Sequence, residues 1–249
     1  MKFSTYLTET SNSNYKKEIT KDECIKLLTQ LYKNKDNLPK YIYRGMDSKS
    51  KILLIEGKKG NRVSRNTSNH YTKIIDYNIH KLNKDYPLRS KSIIASTYKY
   101  TADHFGELYY IIPFPDTIIG QCEYDDLWST EITMGTTTRS INLWNNIWQE
   151  AEIFDYIDNA DELADAIIKI VETYETTKKK HHFKVYHIFK NVKDIKDEVN
   201  TAYSIDNLNM TFGTLSTLKL GDDNEVWIGD KCIAIHEDEI ENIIPFIGK

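Results

Sequence analysis

Three short pieces of this chain carry side chains that could do chemistry together. Tyr43-Arg44-Gly45 ends a short apolar run on an arginine backed by a glycine. Ser92-Ile93-Ile94-Ala95-Ser96-Thr97 ends on a hydroxyl pair, ahead of Ala102 and Phe105-Gly106, and Asp223-Asn224-Glu225-Val226-Trp227-Ile228 opens an apolar run on a carboxylate. A planar guanidinium suits bidentate contact with phosphate or carboxylate, whereas lysine is a point charge that suffices for solubility. Of the 33 lysines and arginines only five are arginine: Arg44, Arg62, Arg65, Arg89 and Arg139. Four of those fall between positions 44 and 89. Sparing but clustered arginine points to an anion site, with chance in a lysine-rich composition as the alternative. Each piece alone is weak, because a lone arginine or a glutamate at a strand start is most often a surface residue.

The signatures of other chemistries are missing from the sequence: it contains no GxSxG, no HExxH and no GxxxxGK[ST] phosphate loop. None of the seven histidines stands at metal spacing with a second ligand, and the adjacent His181-His182 suit an exposed pair. His104 falls on a short expected helix where it could line a cleft or stand half exposed. Cys24, Cys122 and Cys232 are widely spaced and read as reduced, mostly buried thiols. No metal is expected.

The elements that must position these residues come from a chain of 249 residues, 40% hydrophobic and 12% aromatic, long enough for a sizeable core as one large domain or as one domain carrying an insertion. A net charge of -4 and a pI near 6.0 give no global basic field, which disfavours a binder of duplex nucleic acid. No apolar run reaches membrane-spanning length, and the opening MKFSTYLTETSNSNYKK has no apolar core of signal-peptide length. A cytoplasmic protein without a membrane partner is expected.

The spacing of Cys24, Leu27, Leu28 and Leu31 predicts a helix over 20–35, and a strand follows at Tyr41–Arg44. A lysine- and glycine-rich stretch, Glu56–Gly60, leads to a helix over Asn69–Leu82 that Pro87 closes off. Residues 92–97 read as a strand, 100–106 as a short helix, and 107–113 and 117–121 as further strands. Asp161–Thr177 is a strong helix with acidic residues at its start, where the dipole favours them. Residues 182–199 mix a strand with a second helix, and Lys178-Lys179-Lys180-His181-His182 reads as a solvated link. Strand texture returns at Leu215–Leu220, Glu225–Ile228 and Lys231–Ile235, separated by Gly221-Asp222-Asp223-Asn224 and Gly229-Asp230. Helices at the front, many short strands and a helical interruption define an α+β class, with one domain over 1–249 and a helical insertion at 140–205.

Arginine on an early strand, a serine-threonine pair closing a middle strand and a glutamate opening a late one resemble the Arg-Ser-Glu arrangement of ADP-ribosyltransferases, the group that includes the clostridial C3-like toxins and the T4-type phage transferases. The resemblance covers roughly 40–125 and 210–240. It implies a split antiparallel β-sandwich with N-terminal helices, and NAD as a substrate. By that likeness Arg44 would hold the NAD diphosphate or adjoining ribose, and Gly45 would let the backbone approach the dinucleotide. Ser96, with Thr97 beside it, would orient the nicotinamide ribose and brace Glu225, which would bond the ribose 2'-hydroxyl and stabilise the oxocarbenium-like charge as nicotinamide leaves. Tyr98 stands where the family has a second serine. Asp223 stands where it has Glu or Gln, at the position that helps choose the acceptor.

Tyr43, Tyr98, Phe105 and Trp227 are stacking candidates for nicotinamide or adenine, with core packing as the alternative for each. The polar run Arg62–Asn69 puts Arg65 and Asn66 where they could line the NAD site, or an N-capped loop. The resemblance implies transfer of ADP-ribose to a macromolecular acceptor, a protein in preference to nucleic acid, in the cytoplasm, or in the host cytoplasm for a chain of viral origin. The alternatives are an NAD glycohydrolase on the same fold and a non-catalytic binding or structural module.

Overall fold

In the computed structural model, which describes residues 16–33, 35–39, 42–60, 69–124, 127 and 157–248, the apolar runs become strands of one antiparallel sheet. The chain is α+β, with nine strands and seven α-helices among the described residues. The strands are β1 (Lys16–Glu18), β2 (Tyr43–Met46), β3 (Ile52–Glu56), β4 (Ile93–Ser96), β5 (Glu107–Pro113), β6 (Ile119–Cys122), β7 (Met210–Gly213), β8 (Glu225–Ile228) and β9 (Lys231–His236). Their spatial order is β1-β3-β9-β5-β2-β4-β8-β6-β7. Most neighbours pair over four or five residues, but β2 and β4 meet only at Tyr43 opposite Ser96. The sheet therefore divides at a seam, with β1-β3-β9-β5-β2 on one side and β4-β8-β6-β7 on the other.

Side chains alternate between the two faces of a strand, so the register sorts them. On one face Ile42, Met46, Leu53, Ile55, Tyr109, Ile111, Cys232 and Ala234 join Ile93, Ala95, Ile119, Val226 and Ile228 in a single buried cluster that runs through both halves. That common core holds the halves together where the ladder does not. Trimming one of its large aliphatic side chains to alanine removes contacts worth about 2–5 kcal/mol.

The other face of the first half is covered by helices. Helix α1 (Lys21–Tyr32) buries Cys24, Leu28 and Tyr32 at four-residue intervals and starts on a capping box between Thr20 and Glu23. These side chains meet Ile52, Ile112, Ile233 and Ile235 of the sheet. Helix α3 (Lys99–Asp103) sets Ala102 against Tyr43, Leu108 and Tyr110. The chain groups into two compact units: Met1–Arg65, Asp85–Leu127 and Met210–Lys249 form the sheet unit, and Asn66–Lys84 with Trp128–Asn209 form the second.

The second unit is helical over its described residues. It comprises α2 (Asn69–Leu82), α4 (Ala160–Thr177), α5 (Phe183–Phe189) and α6 (Ile195–Ala202). Asn159 and Asp194 cap α4 and α6 by accepting from Glu162 and Asp197 N–H, each at 3.0 Å. Asn78 Nδ2 of α2 donates to the Tyr203 carbonyl at 2.9 Å, so α2 belongs with the segment expected as an insertion.

Several expectations are corrected. Leu215–Leu220 is not a strand: Thr214 and Thr217 bond one another's backbone and hydroxyl groups, which competes with a ladder, while Leu215, Leu218 and Leu220 still lean on the core. The strand expected within 182–199 is the pair of helices α5 and α6. Strand β2 lies two residues beyond its expected start, and β1, β3 and β7 were not anticipated. Strand β3, ILLIE, buries side chains on both faces, so it lacks the alternation that marks a strand.

Candidate active site

The three motif-bearing strands, β2, β4 and β8, are consecutive in the sheet although long stretches of chain separate them. Ser96, the last residue of β4, lies directly opposite Glu225, the first of β8. Opposed residues of an antiparallel pair share a face, so the row across the sheet reads Tyr43, Ser96, Glu225, Cys122. Asn224 sets this register. Its N–H donates to Thr97 Oγ1 at 2.8 Å, its carbonyl accepts from Thr97 N–H at 3.0 Å, and its Nδ2 donates to the Cys122 carbonyl at 2.7 Å. Asp223, exposed two residues before Glu225, turns the chain into β8 at φ 59°, a left-handed value that aspartate tolerates.

Glu225 is only 4% exposed, and donors converge on it from three elements. Arg89, 2% exposed in the 3-10 turn Arg89–Lys91 ahead of β4, brings its guanidinium Nη2 to 3.2 Å from Oε1 and 3.4 Å from Oε2. The Trp227 indole N–H donates to Oε1, and Leu127 N–H donates to Oε2 at 3.1 Å. Glu225 N–H donates to the Tyr124 carbonyl at 2.7 Å, which continues the ladder past β6. The carboxyl group is thus held in one orientation within a covered site.

Ser96, buried, accepts from Tyr98 N–H at 3.0 Å through Oγ. Arg44 is also buried, but it alternates onto the face of the common core and its guanidinium donates to the carbonyl of Ile94, at the point where β2 and β4 part. Its charge lies close enough to favour the Cys232 thiolate, although burial dominates and pushes that thiol up to about 12. Ser96 and Glu225 are therefore brought together, while Arg44 sits beside them on the neighbouring strand, serving the seam. The room at Gly45 is taken by the chain's own backbone: a Cβ there would stand 2.2 Å from the Ala102 carbonyl oxygen and 2.8 Å from Phe105 C. Phe105 lies in that turn, half-buried, after α3.

Tyr43 is buried edge-on against Tyr110, with ring centroids 5.1 Å apart. Trp227 is fully buried with the Arg89 guanidinium 5.7 Å from its ring centre. Tyr98 is exposed beside Ser96 and Thr97. Arg65 and Asn66 lie outside the described residues. Reading the sequence missed Arg89 and Asn224 as site residues, although Arg89 belongs to the arginine cluster and Asn224 adjoins Glu225. Among the described residues no group of three or more His, Cys, Asp and Glu side chains is placed to hold a metal ion, and no helix is long and apolar enough to cross a membrane. Comparison with protein-family models, with curated proteins and with solved structures finds no match for this chain.

Proposed function

We propose that this chain is an NAD-dependent mono-ADP-ribosyltransferase that modifies a macromolecular target, a protein in preference to nucleic acid. The observation that carries this reading is the direct opposition of Ser96 and Glu225 on adjacent strands, with the arginine-bearing strand β2 next in order. Breaking the bond between C1' of ribose and an already cationic nicotinamide needs no general acid, because nicotinamide leaves with the bonding pair as a neutral base. It needs a fixed negative group beside the positive charge that develops on the ribose. Glu225 supplies that charge, Ser96 supplies the hydroxyl beside it, and Asp223, exposed at the turn, is the base for the incoming nucleophile's proton. With 4% exposure at Glu225, contact with a ribose requires the cover over the carboxylate to move. Arg44 serves the diphosphate only after releasing the Ile94 carbonyl.

A second reading has its own support. Arg89 and Glu225 form a buried ion pair, with side chains 3% and 5% exposed, and a buried pair can be purely structural. Incubation of the protein with adenylate-labelled NAD and a cell lysate separates the two. The wild type is expected to label a macromolecule, and Glu225→Gln to lower the rate by about 10²–10³. Nicotinamide release without labelled macromolecule selects a glycohydrolase. Equal labelling by both proteins sinks the catalytic role of Glu225, and the absence of both NAD cleavage and an NAD-dependent thermal shift selects the structural reading.

A further inference from the structure

The Arg89 guanidinium and the Glu225 carboxylate face each other in a covered site, and the arrangement is built rather than incidental. Arg89 is carried by a turn in which Lys91 N–H and Ser92 Oγ both donate to the Leu88 carbonyl, at 3.0 and 2.7 Å. The turn is seated by Pro87, which stands so close to Gly229 that a Cβ there would lie 3.0 Å from Pro87 Cβ. Gly229 directly follows β8, so one end of β8 anchors the turn that supplies the cation to the carboxylate at its other end. Trp227, on the same face of β8 two residues after Glu225, touches both: its N–H bonds Oε1 and its ring lies by the guanidinium. Among the described residues, titratable groups on this side of Glu225 include Arg89 from this turn and, along its row, Cys122 of β6 and, two strands away, Tyr43 of β2.

We propose that Arg89 is a positioning residue for Glu225: it keeps the carboxylate charged and turned one way, and does not itself bind NAD. The role in turnover rests on the transferase reading above, whereas the effect on Glu225 does not. A carboxyl group beside an arginine ionises about 1–3 pH units lower than it would without that neighbour. Removing the cation from a covered site moves ionisation the other way, and lysine, which keeps the charge without the planar fork, moves it less.

The test measures the pH profile of kcat/KM for NAD cleavage in the full chain, for wild type, Arg89→Met and Arg89→Lys. The acid limb is expected about one pH unit or more higher in Arg89→Met and by a smaller step in Arg89→Lys, with KM for NAD within about twofold of wild type. A limb that stays in place in both variants, or a KM that rises tenfold with the limb unmoved, overturns the proposal. If Arg89→Met does not fold, the neutral pair Arg89→Met with Glu225→Gln is expected to restore folding, since it removes both members of the buried ion pair together; failure of that rescue together with an unmoved limb in Arg89→Lys overturns it too. If the wild type cleaves no NAD, the transferase reading fails by itself. The proposal is then decided by carboxyl NMR titration of Glu225 in wild type and Arg89→Lys, which must titrate at higher pH in the variant.

Discussion

Asn224 decides where Glu225 stands, because three of its polar groups tie the start of β8 to Thr97 on one side and Cys122 on the other. Its remaining polar atom, Oδ1, is buried without a hydrogen-bond partner among the described residues. The reason is local packing: Oδ1 lies 2.2 Å from where a Cβ on Gly221 would be, so the bare Cα of that glycine covers it. Gly221→Ala must therefore push the amide aside and strain its bond to the Cys122 carbonyl. We expect a loss of about 1–2 kcal/mol, read as a lower urea midpoint at unchanged slope. Stability equal to wild type would show that the amide can turn away at no cost.

At the scale of elements, α3 approaches β2 more closely than any side chain on residue 45 would allow. The obstacle to a Cβ at Gly45 is backbone, Ala102 O and Phe105 C, and not the end of a side chain as at Gly221. Gly45→Ala should accordingly cost more, about 3 kcal/mol by urea unfolding, and a smaller effect than Gly221→Ala would mean that α3 is free to shift. Glycine behind the arginine was legible in YRG, but its use was not, because α3 lies more than fifty residues further along the chain. Strands β4 and β8 were legible as apolar runs with clear turns at their ends, and α1, α2 and α4 from the spacing of their apolar residues. Opposition of Ser96 to Glu225 depends on the register of strands far apart in sequence, which no local pattern records. Arg89 was missed for the same reason: its cluster was visible, but its partner stands 136 positions away. At Leu215–Leu220 the apolar pattern was real, and local hydroxyl bonding decided against a strand.

For the molecule as a whole, alkaline pH is the condition that acts on the core. Burial pushes the thiols of Cys24 and Cys232 up to about 12 from an ordinary 9.0. Between these values the unfolded chain has lost protons that the folded chain keeps, so stability is fully present below pH 9 and falls as pH rises towards 12. Each thiol contributes a slope of up to about 1.4 kcal/mol per pH unit, and Tyr32, raised mainly by burial, adds to it at higher pH. Urea unfolding between pH 9 and 11 should show a flatter fall for the double variant Cys24→Ala, Cys232→Ala than for wild type, and parallel curves would refute the assignment. On the acid side Asp238 and Glu175, both lowered by lysine partners, are exposed and contribute little.

The pairing of Ser96 with Glu225 also has a consequence for how the chain reaches its native state. These residues are separated by 128 others, and closing a loop of that length costs on the order of 4 kcal/mol of chain entropy before the ladder offers anything in return. Helices with local contacts form early, and long-range strand pairing is slow. Carboxylate and hydroxyl therefore meet late in folding, and a partly folded chain holds the separate pieces of this candidate site apart.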